Sequence, residues 1–409
     1  MPPPLPSLPA GPTARVRRHL IDLSGAVQLV TDATVGVTSV VEAMHAGIAR
    51  VPVGPAPEAA GGITGRVYGT VRGITRLAGT TVGGTLHWAA RGLAAAAPSG
   101  EPGAPLPEPP GSARVDALRS ALNGMAGDHL AATDNPLALP MELRHDGRAL
   151  TLEATALRQA LPQATGRVLV LLHGLGMNDR QWLQQGHDHG QALAAAGGYT
   201  PVYLRYNSGL PVHANGAALA QRLDALLAAW PQPVERVVLL GHSMGGLVAR
   251  SALHHGLQAG QPWASQVGDL VCLGTPHHGA PLERAGHLVD RVLGAAPYAA
   301  PLARLGKVRS AGVVDLRHGR VRADGLPAPL PAGVRSHAVA ACLGEPGRGL
   351  HPRALGDGLV PLDSALGRHA DPARHLPFEP HRQAVFHGMG HLALLWRPEV
   401  RRALADWLL

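Results

Sequence analysis

The sequence predicts an α/β fold, a mostly parallel sheet with helices on both faces, preceded by an N-terminal helical extension. Three observations lead there. From about residue 167 onward, short apolar runs alternate with amphipathic helical stretches, the pattern of strand–helix–strand units. Runs such as RVLVLL and VVLL are rich in Val and Leu, as buried strands are. A Pro/Gly-rich block, Pro98–Ser112 (PSGEPGAPLPEPPGS), has the composition of an extended linker and separates this region from what precedes it. The expected organisation is a helical extension over 1–98, a linker over 99–112 and an α/β domain over 113–409.

Within the extension, Leu20, Leu23, Val27 and Val30, then Val37, Val40, Val41, Met44 and Ile48, recur at helical spacing. Asp22, Asp32 and Glu42 interrupt that stripe. From Ile63 to Leu93 a second helix is expected, with Ile63, Val67, Val71 and Ile74 on one stripe. Gly61, Gly65, Gly69 and Gly73 lie four apart on another, a small-residue face that allows close approach of backbones. Arg66, Arg72, Arg76 and Arg91 place positive charge around it. Two readings stand: a helical hairpin packing on the main domain or on another copy, and contact with an anionic membrane or lipid-droplet surface.

In the main region a helix is expected over Ala113–Leu122, ending near Gly124. A hairpin over Met141–Leu152, turning at His145–Gly147, would supply an antiparallel edge. Strands follow at Arg167–Leu172, Tyr199–Tyr206, Arg236–Leu240, Asp269–Leu273, His337–Leu343 and Ala384–Phe386. The long connection Ala280–Arg335, with apolar helix-like pieces, is the candidate lid or acyl-binding cap.

Composition narrows the function. The net charge is +8, but aromatics are only 3% of the chain and the arginines are spread along it, so the basic–aromatic patch of a nucleic-acid binder is missing. Cys272 and Cys342, the two cysteines, lie in apolar runs and read as reduced core thiols of a cytoplasmic protein. The proline-rich start, Met1–Pro12, lacks the pattern of a secretory signal, and no charge-free apolar run is long enough for a spanning helix.

The chemistry gathers around Gly241-His242-Ser243-Met244-Gly245, directly after the apolar run VVLL and directly before a helical stretch. A serine hydroxyl is a weak nucleophile. A sharp strand-to-helix turn projects it from the backbone, flanking glycines remove steric obstacles, and the unpaired amides of the following helix face a developing oxyanion. Ser243 is therefore the candidate nucleophile. The strand RVLVLL runs into His173-Gly174-Leu175-Gly176-Met177. Two N–H groups are needed to stabilise a tetrahedral oxyanion, and they are assigned to Leu175 and Met244. Acid and base should follow the serine in the chain. Asp357, in a glycine-flanked loop, is favoured over Asp363, which looks like a helix N-cap; His391, on a loop, is favoured over His387 at a strand edge.

Other polar clusters carry weaker signals. His187, Asp188 and His189, and His277 with His278, lack a complete metal-ligand set and read as a helix start and a loop. Tyr206, Asn207 and Ser208 either line an acyl pocket or cap the next helix.

The motifs HGLG, GHSMGG followed by LVAR, GTPHHGAPLERAG, GDGLVPLDSAL and GHLALL, in that order over roughly Leu161–Leu409, resemble the bacterial lipase/esterase branch of the α/β-hydrolases, near the PGAP1-like (inositol deacylase-like) group. The resemblance implies Ser243 as nucleophile, Asp357 as orienting acid, His391 as base, and Leu175 and Met244 as oxyanion donors, in agreement with the reading of the residues. It implies hydrolysis of a carboxylic ester, lipidic or medium-chain, with no metal or organic cofactor. An acyltransferase or thioesterase would use the same residues. A lipid- or granule-surface protein with secondary hydrolase activity is the other alternative.

Overall fold

The computed structural model describes residues 16–32, 63–95, 113–280, 310–344 and 356–409. The connectors and the 99–112 linker, the apolar stripe at 37–48, and the 281–309 part of the expected cap lie outside the described residues.

By backbone packing the chain divides into two units. The first holds two helices, α1 (16–32) and α2 (Ile63–Ala95), together with Leu130–Ala138. The described close approach of its helices is at Gly79, outside the regular glycine series. Gly73 has nothing within 4 Å of its added Cβ, whereas a Cβ on Gly79 would meet the Thr31 side chain at 2.0 Å, so α1 and α2 pack around the Gly79–Thr31 contact. Asn135 completes the unit by donating from Nδ2 to the Gly25 carbonyl at 2.9 Å.

The second unit holds Ala113–His129 and Leu139–Leu409. Its first helical segment, α3 (Ala113–Ala132), is broken at Ala126 (φ −138°), two residues past the predicted stop near Gly124, and a second helical piece continues to Ala132. Gly124 lies just before that break and is also a contact residue. The predicted hairpin forms as β1 (Glu142–His145) and β2 (Arg148–Ala149), and α4 (Ala154–Ala160) follows. Then come β3 (Arg167–Leu172), α5 (His189–Gly197), β4 (Thr200–Arg205), α6 (Val212–Ala228), β5 (Arg236–His242), α7 (Met244–Gln258), β6 (Val267–Leu273), α8 (Ala311–His318), β7 (Arg335–Cys342), β8 (Gln383–His387) and α9 (Pro398–Leu408).

The eight strands form one sheet in the order β2-β1-β4-β3-β5-β6-β7-β8, parallel from β4 to β8 and antiparallel at the β1–β2 edge. Alternate side chains of the central strands feed two cores. Val168, Val170 and Leu172 of β3 pack with Leu219, Leu223 and Leu226 of α6 and Leu247 of α7 on one face. Leu169 and Leu171 pack with Leu193 of α5 and Val400, Leu404 and Leu408 of α9 on the other. β3 and β4 leave the strand order reversed at β4-β3-β5, and in such sheets the crevice at the carboxyl ends beside the reversal is where ligands bind.

The opposite rim, at the amino ends, is ionic. Asp269 of β6 is fully buried and accepts from Arg236 of β5 (2.7 Å), Arg335 of β7 (2.8 Å) and His337 Nε2 (3.0 Å). Burial raises its pKa, but the hydrogen bonds from His337, Arg335 and Arg236 outweigh that and hold it at about 2. Because the folded value lies below the unfolded one, this contribution is present above pH 3.8 and is lost as pH falls through about 2. Replacing Asp269 by Ala strands buried cationic ends; with Arg335 nearly half exposed, the expected loss is about 3 kcal/mol of unfolding free energy, read by urea denaturation at pH 7.

Candidate active site

At the carboxyl rim, β5 ends in the turn that carries Ser243, whose backbone is at φ 54° and ψ −122°. A non-glycine residue rarely adopts positive φ, and such a residue persists only where its surroundings enforce it. Here they do. An added Cβ on Gly241 would lie 2.4 Å from the Gly246 nitrogen, and one on Gly245 would lie 2.2 Å from the Leu172 carbonyl oxygen, so strand, turn and helix are packed backbone on backbone. Met244 opens α7, where the first amides have no intrahelical acceptor.

The loop after β3 lies alongside, because Leu172 pairs with Gly241 in the parallel register. Gly174, Leu175, Met177, His242, Ser243, His391 and Leu392 line one small cleft. The Met244 side chain is turned into the core beside Leu247 and Val248.

His391 begins a 3-10 turn (His391–Leu395) after β8. Its Nδ1–H donates to Asp357 Oδ2 at 2.6 Å, and both side chains are buried. With the proton on Nδ1, the neutral ring carries its lone pair on Nε2. The other Asp357 oxygen accepts from the amides of Leu359 (3.0 Å) and Val360 (2.8 Å), and the Asp357 carbonyl accepts from the His391 amide at 3.1 Å. The carboxylate is thus fixed on both oxygens. The structure therefore brings Ser243, His391 and Leu175 to one cleft and joins Asp357 to His391.

The competing residues lie elsewhere. Asp363 is not a helix N-cap: Pro361 holds that position, and Asp363 sits inside the first turn, 3.8 Å from Arg368. His387 ends β8 with Nδ1 3.2 Å from the Gly344 carbonyl. Asp188 caps α5, accepting from Gly190 and Gln191. Among the described residues no cluster of three or more His, Cys, Asp or Glu is placed to hold a metal ion.

Several residues support the site through contacts that the sequence does not signal. Ser208 neither lines the cleft nor caps α6, whose N-cap is Pro211; its Oγ accepts from the Gly176 amide at 2.9 Å and braces the loop after β3. Tyr206 stacks on His173 (centroids 4.3 Å apart) and donates to its carbonyl at 2.9 Å. Gly124 of α3 packs on Gly176, where a Cβ would come within 2.8 Å of Cα. His242 Nε2 donates to the His391 carbonyl at 3.3 Å, and its ring lies 4.8 Å from that of His391. His189 Nε2 donates to the Leu394 carbonyl at 2.9 Å, tying down the same turn. No local spacing signals these contacts, which join residues distant in the chain.

These features define the α/β-hydrolase fold class. Residues 163–295 match the family model described as the PGAP1-like alpha/beta domain. No curated protein matches the chain. Similar solved structures include the mature lipase BlEst2 of Bacillus licheniformis (20% identity, TM-score 0.42, 65% of this chain and 97% of that one). Lipase B of Aspergillus fumigatus is similar at 14% identity and TM-score 0.34, covering 57% of this chain and 50% of that one. The RedJ thioesterase of Streptomyces coelicolor is similar at 19% identity and TM-score 0.33, over 60% and 90%.

Two outcomes are expected. Gly245→Ala forces Cβ into the Leu172 carbonyl and lowers stability by about 2 kcal/mol, seen as a reduced urea midpoint. Burial also holds His173 and His189 neutral, with pKa values near 4 against 6.5. Below pH 6.5 the unfolded chain takes up protons that these folded rings do not, so stability falls steadily from pH 6.5 toward 4. A urea midpoint that stays flat across that window is the contrary result.

Proposed function

We propose that this protein is a serine hydrolase that cleaves carboxylic esters through an acyl-enzyme intermediate. The observation that carries this reading is the arrangement at the carboxyl rim: Ser243 on a positive-φ turn shares a cleft with His391, whose Nδ1 is bonded to Asp357 at 2.6 Å. In this reading His391 Nε2 takes the proton of Ser243 Oγ as the oxygen attacks the ester carbonyl. The Asp357 carboxylate stabilises the imidazolium. The amides of Leu175 and Met244 donate to the tetrahedral oxyanion. The C–O bond to the alcohol breaks, and the alcohol leaves with the proton from His391. Water then repeats the sequence on the acyl-enzyme, releasing the acid and restoring Ser243. Hydroxyl, imidazole and carboxylate suffice for each step, so the reading calls for no metal or organic cofactor.

Leu175, Met177 and Leu392 give the cleft an apolar lining, which favours an acyl ester over a small charged one.

A fluorophosphonate probe should label the wild-type protein and fail to label Ser243→Ala; labelling that persists in the alanine variant removes Ser243 as nucleophile. Asp357→Asn should lower kcat on p-nitrophenyl butyrate by about 10³- to 10⁴-fold with little change in KM, because the carboxylate acts on the ring rather than on the ester. Release of free acid in water, against transfer to added alcohol, separates hydrolysis from acyl transfer.

A further inference from the structure

Helix α2 has two unlike faces. On one, Gly79 packs against Thr31 and Ala90 is buried. On the other, Ile74, Leu77 and Trp88 are 64%, 69% and 76% exposed. With Thr81 between them these positions follow one another at three, four and seven residues, which is a single helical stripe. Scattered exposed apolar residues are ordinary, but an aligned set ending in a nearly bare tryptophan needs an apolar neighbour.

The polar groups beside the stripe are arranged for such a neighbour. Thr80, Thr81 and Thr85 turn their hydroxyls onto the helix's own carbonyls, donating to Arg76 (2.8 Å), Leu77 (2.7 Å) and Thr81 (2.7 Å). Each hydroxyl is thereby satisfied without water, and the methyl groups are left outward. The 33-residue helix contains four arginines and no carboxylate. Arg91, three residues after Trp88, lies beside the stripe, and Arg76 lies further round the helix on the same side; both are exposed. Tryptophan at an interface with arginines reaching past it is the composition of a helix lying in the headgroup region of a bilayer. Among the described residues no helix is long and apolar enough to cross a membrane, so the helix would lie along the surface.

We propose that the Ile74–Leu77–Trp88 face of α2 docks the protein onto an anionic phospholipid surface, with Arg76 and Arg91 on the lipid phosphates. A second copy of the chain fits less well: its equivalent face is also free of carboxylates, and pairing the two sets arginine against arginine.

The test is sedimentation of the full-length protein with vesicles of phosphatidylcholine, with and without phosphatidylglycerol. Binding is expected only with the anionic lipid, weakening as salt rises. Arg76→Gln with Arg91→Gln should reduce partitioning about 30-fold, from ~1 kcal/mol per arginine. Ile74→Gln, Leu77→Gln and Trp88→Gln together should abolish it. Unchanged circular dichroism in both variants shows that the fold is kept. Ser243→Ala should bind as the wild type does, so the result is independent of the proposed hydrolysis. Absent binding, equal binding to pure phosphatidylcholine, or binding unaltered by the variants overturns the proposal. So does a dimer in sedimentation velocity that the triple variant disperses, because the face then belongs to another copy.

Discussion

The carboxyl rim depends on one steric constraint, the absence of Cβ atoms where β3, β5 and α7 meet. Gly245 lies against the Leu172 carbonyl and Gly241 against Gly246, at distances no larger residue tolerates. That packing lets α7 start immediately after β5, which forces Ser243 to φ 54°. A conformation of this kind costs of order 1–3 kcal/mol and must be held by its surroundings. The holding is supplied from both sides, by the buried ladder of β3, β5 and β6 and by α6 packed along α7.

The loop after β3 is held differently. It has no ladder partner beyond Leu172, so side chains and one helix take over. Ser208 binds the Gly176 amide, Tyr206 stacks on His173, and Asn178 donates to Ser120 of α3 at 3.2 Å. Asp179, just beyond, is buried between Arg144 (3.1 Å) and Arg205 (2.5 Å) of the β1–β4 edge. Ser310 donates to the Gly124 carbonyl at 2.7 Å and so helps to hold α3 in turn. A loop carrying amides that must point at one spot is fixed at four places, by the segment after β4, by α3 and by the β1–β4 edge. Any single contact can be lost with less damage than the loss of the α3 surface as a whole.

This division explains what the sequence discloses. Central strands are legible because burial on both faces demands continuous apolar runs, and Arg167–Leu172 is predicted with the observed ends. The Ser243 turn is legible because its glycines are adjacent in the chain. Asp357 and His391 are placed by chain order and loop character, and they prove to be bonded. Ser208, His189 and His242 are not legible, since each acts on a residue brought near only by the fold. Gly124 is legible in part: the helix breaks at Ala126, close to the predicted stop, but the contact with Gly176 that its lack of a side chain serves has no signal in the chain. Of the Gly61–Gly73 series the surroundings of Gly73 are described, and they are open; the described contact is made by Gly79, outside that series. Spacing reports which positions share a face, not which face is used.

The histidines around the cleft follow a common electrostatic logic. His173, His189 and His242 are all buried, and burial pushes each pKa down: to about 4 for the first two, and well below 6.5 for His242, where the neighbouring His391 ring lowers it further. Each therefore serves at neutral pH as an uncharged donor to a backbone carbonyl: His173 to Gly174, His189 to Leu394 and His242 to His391. Neutrality matters more than the hydrogen bonds themselves. In the proposed reaction the His391 ring gains a proton, and a second positive charge one ring away would oppose that gain strongly in so dry an environment. Lysine or arginine at these positions could donate equally well to a carbonyl but would carry a permanent charge. A buried imidazole supplies the same geometry without it, and leaves the Asp357 carboxylate as the charge directly bonded to the ring that must become cationic.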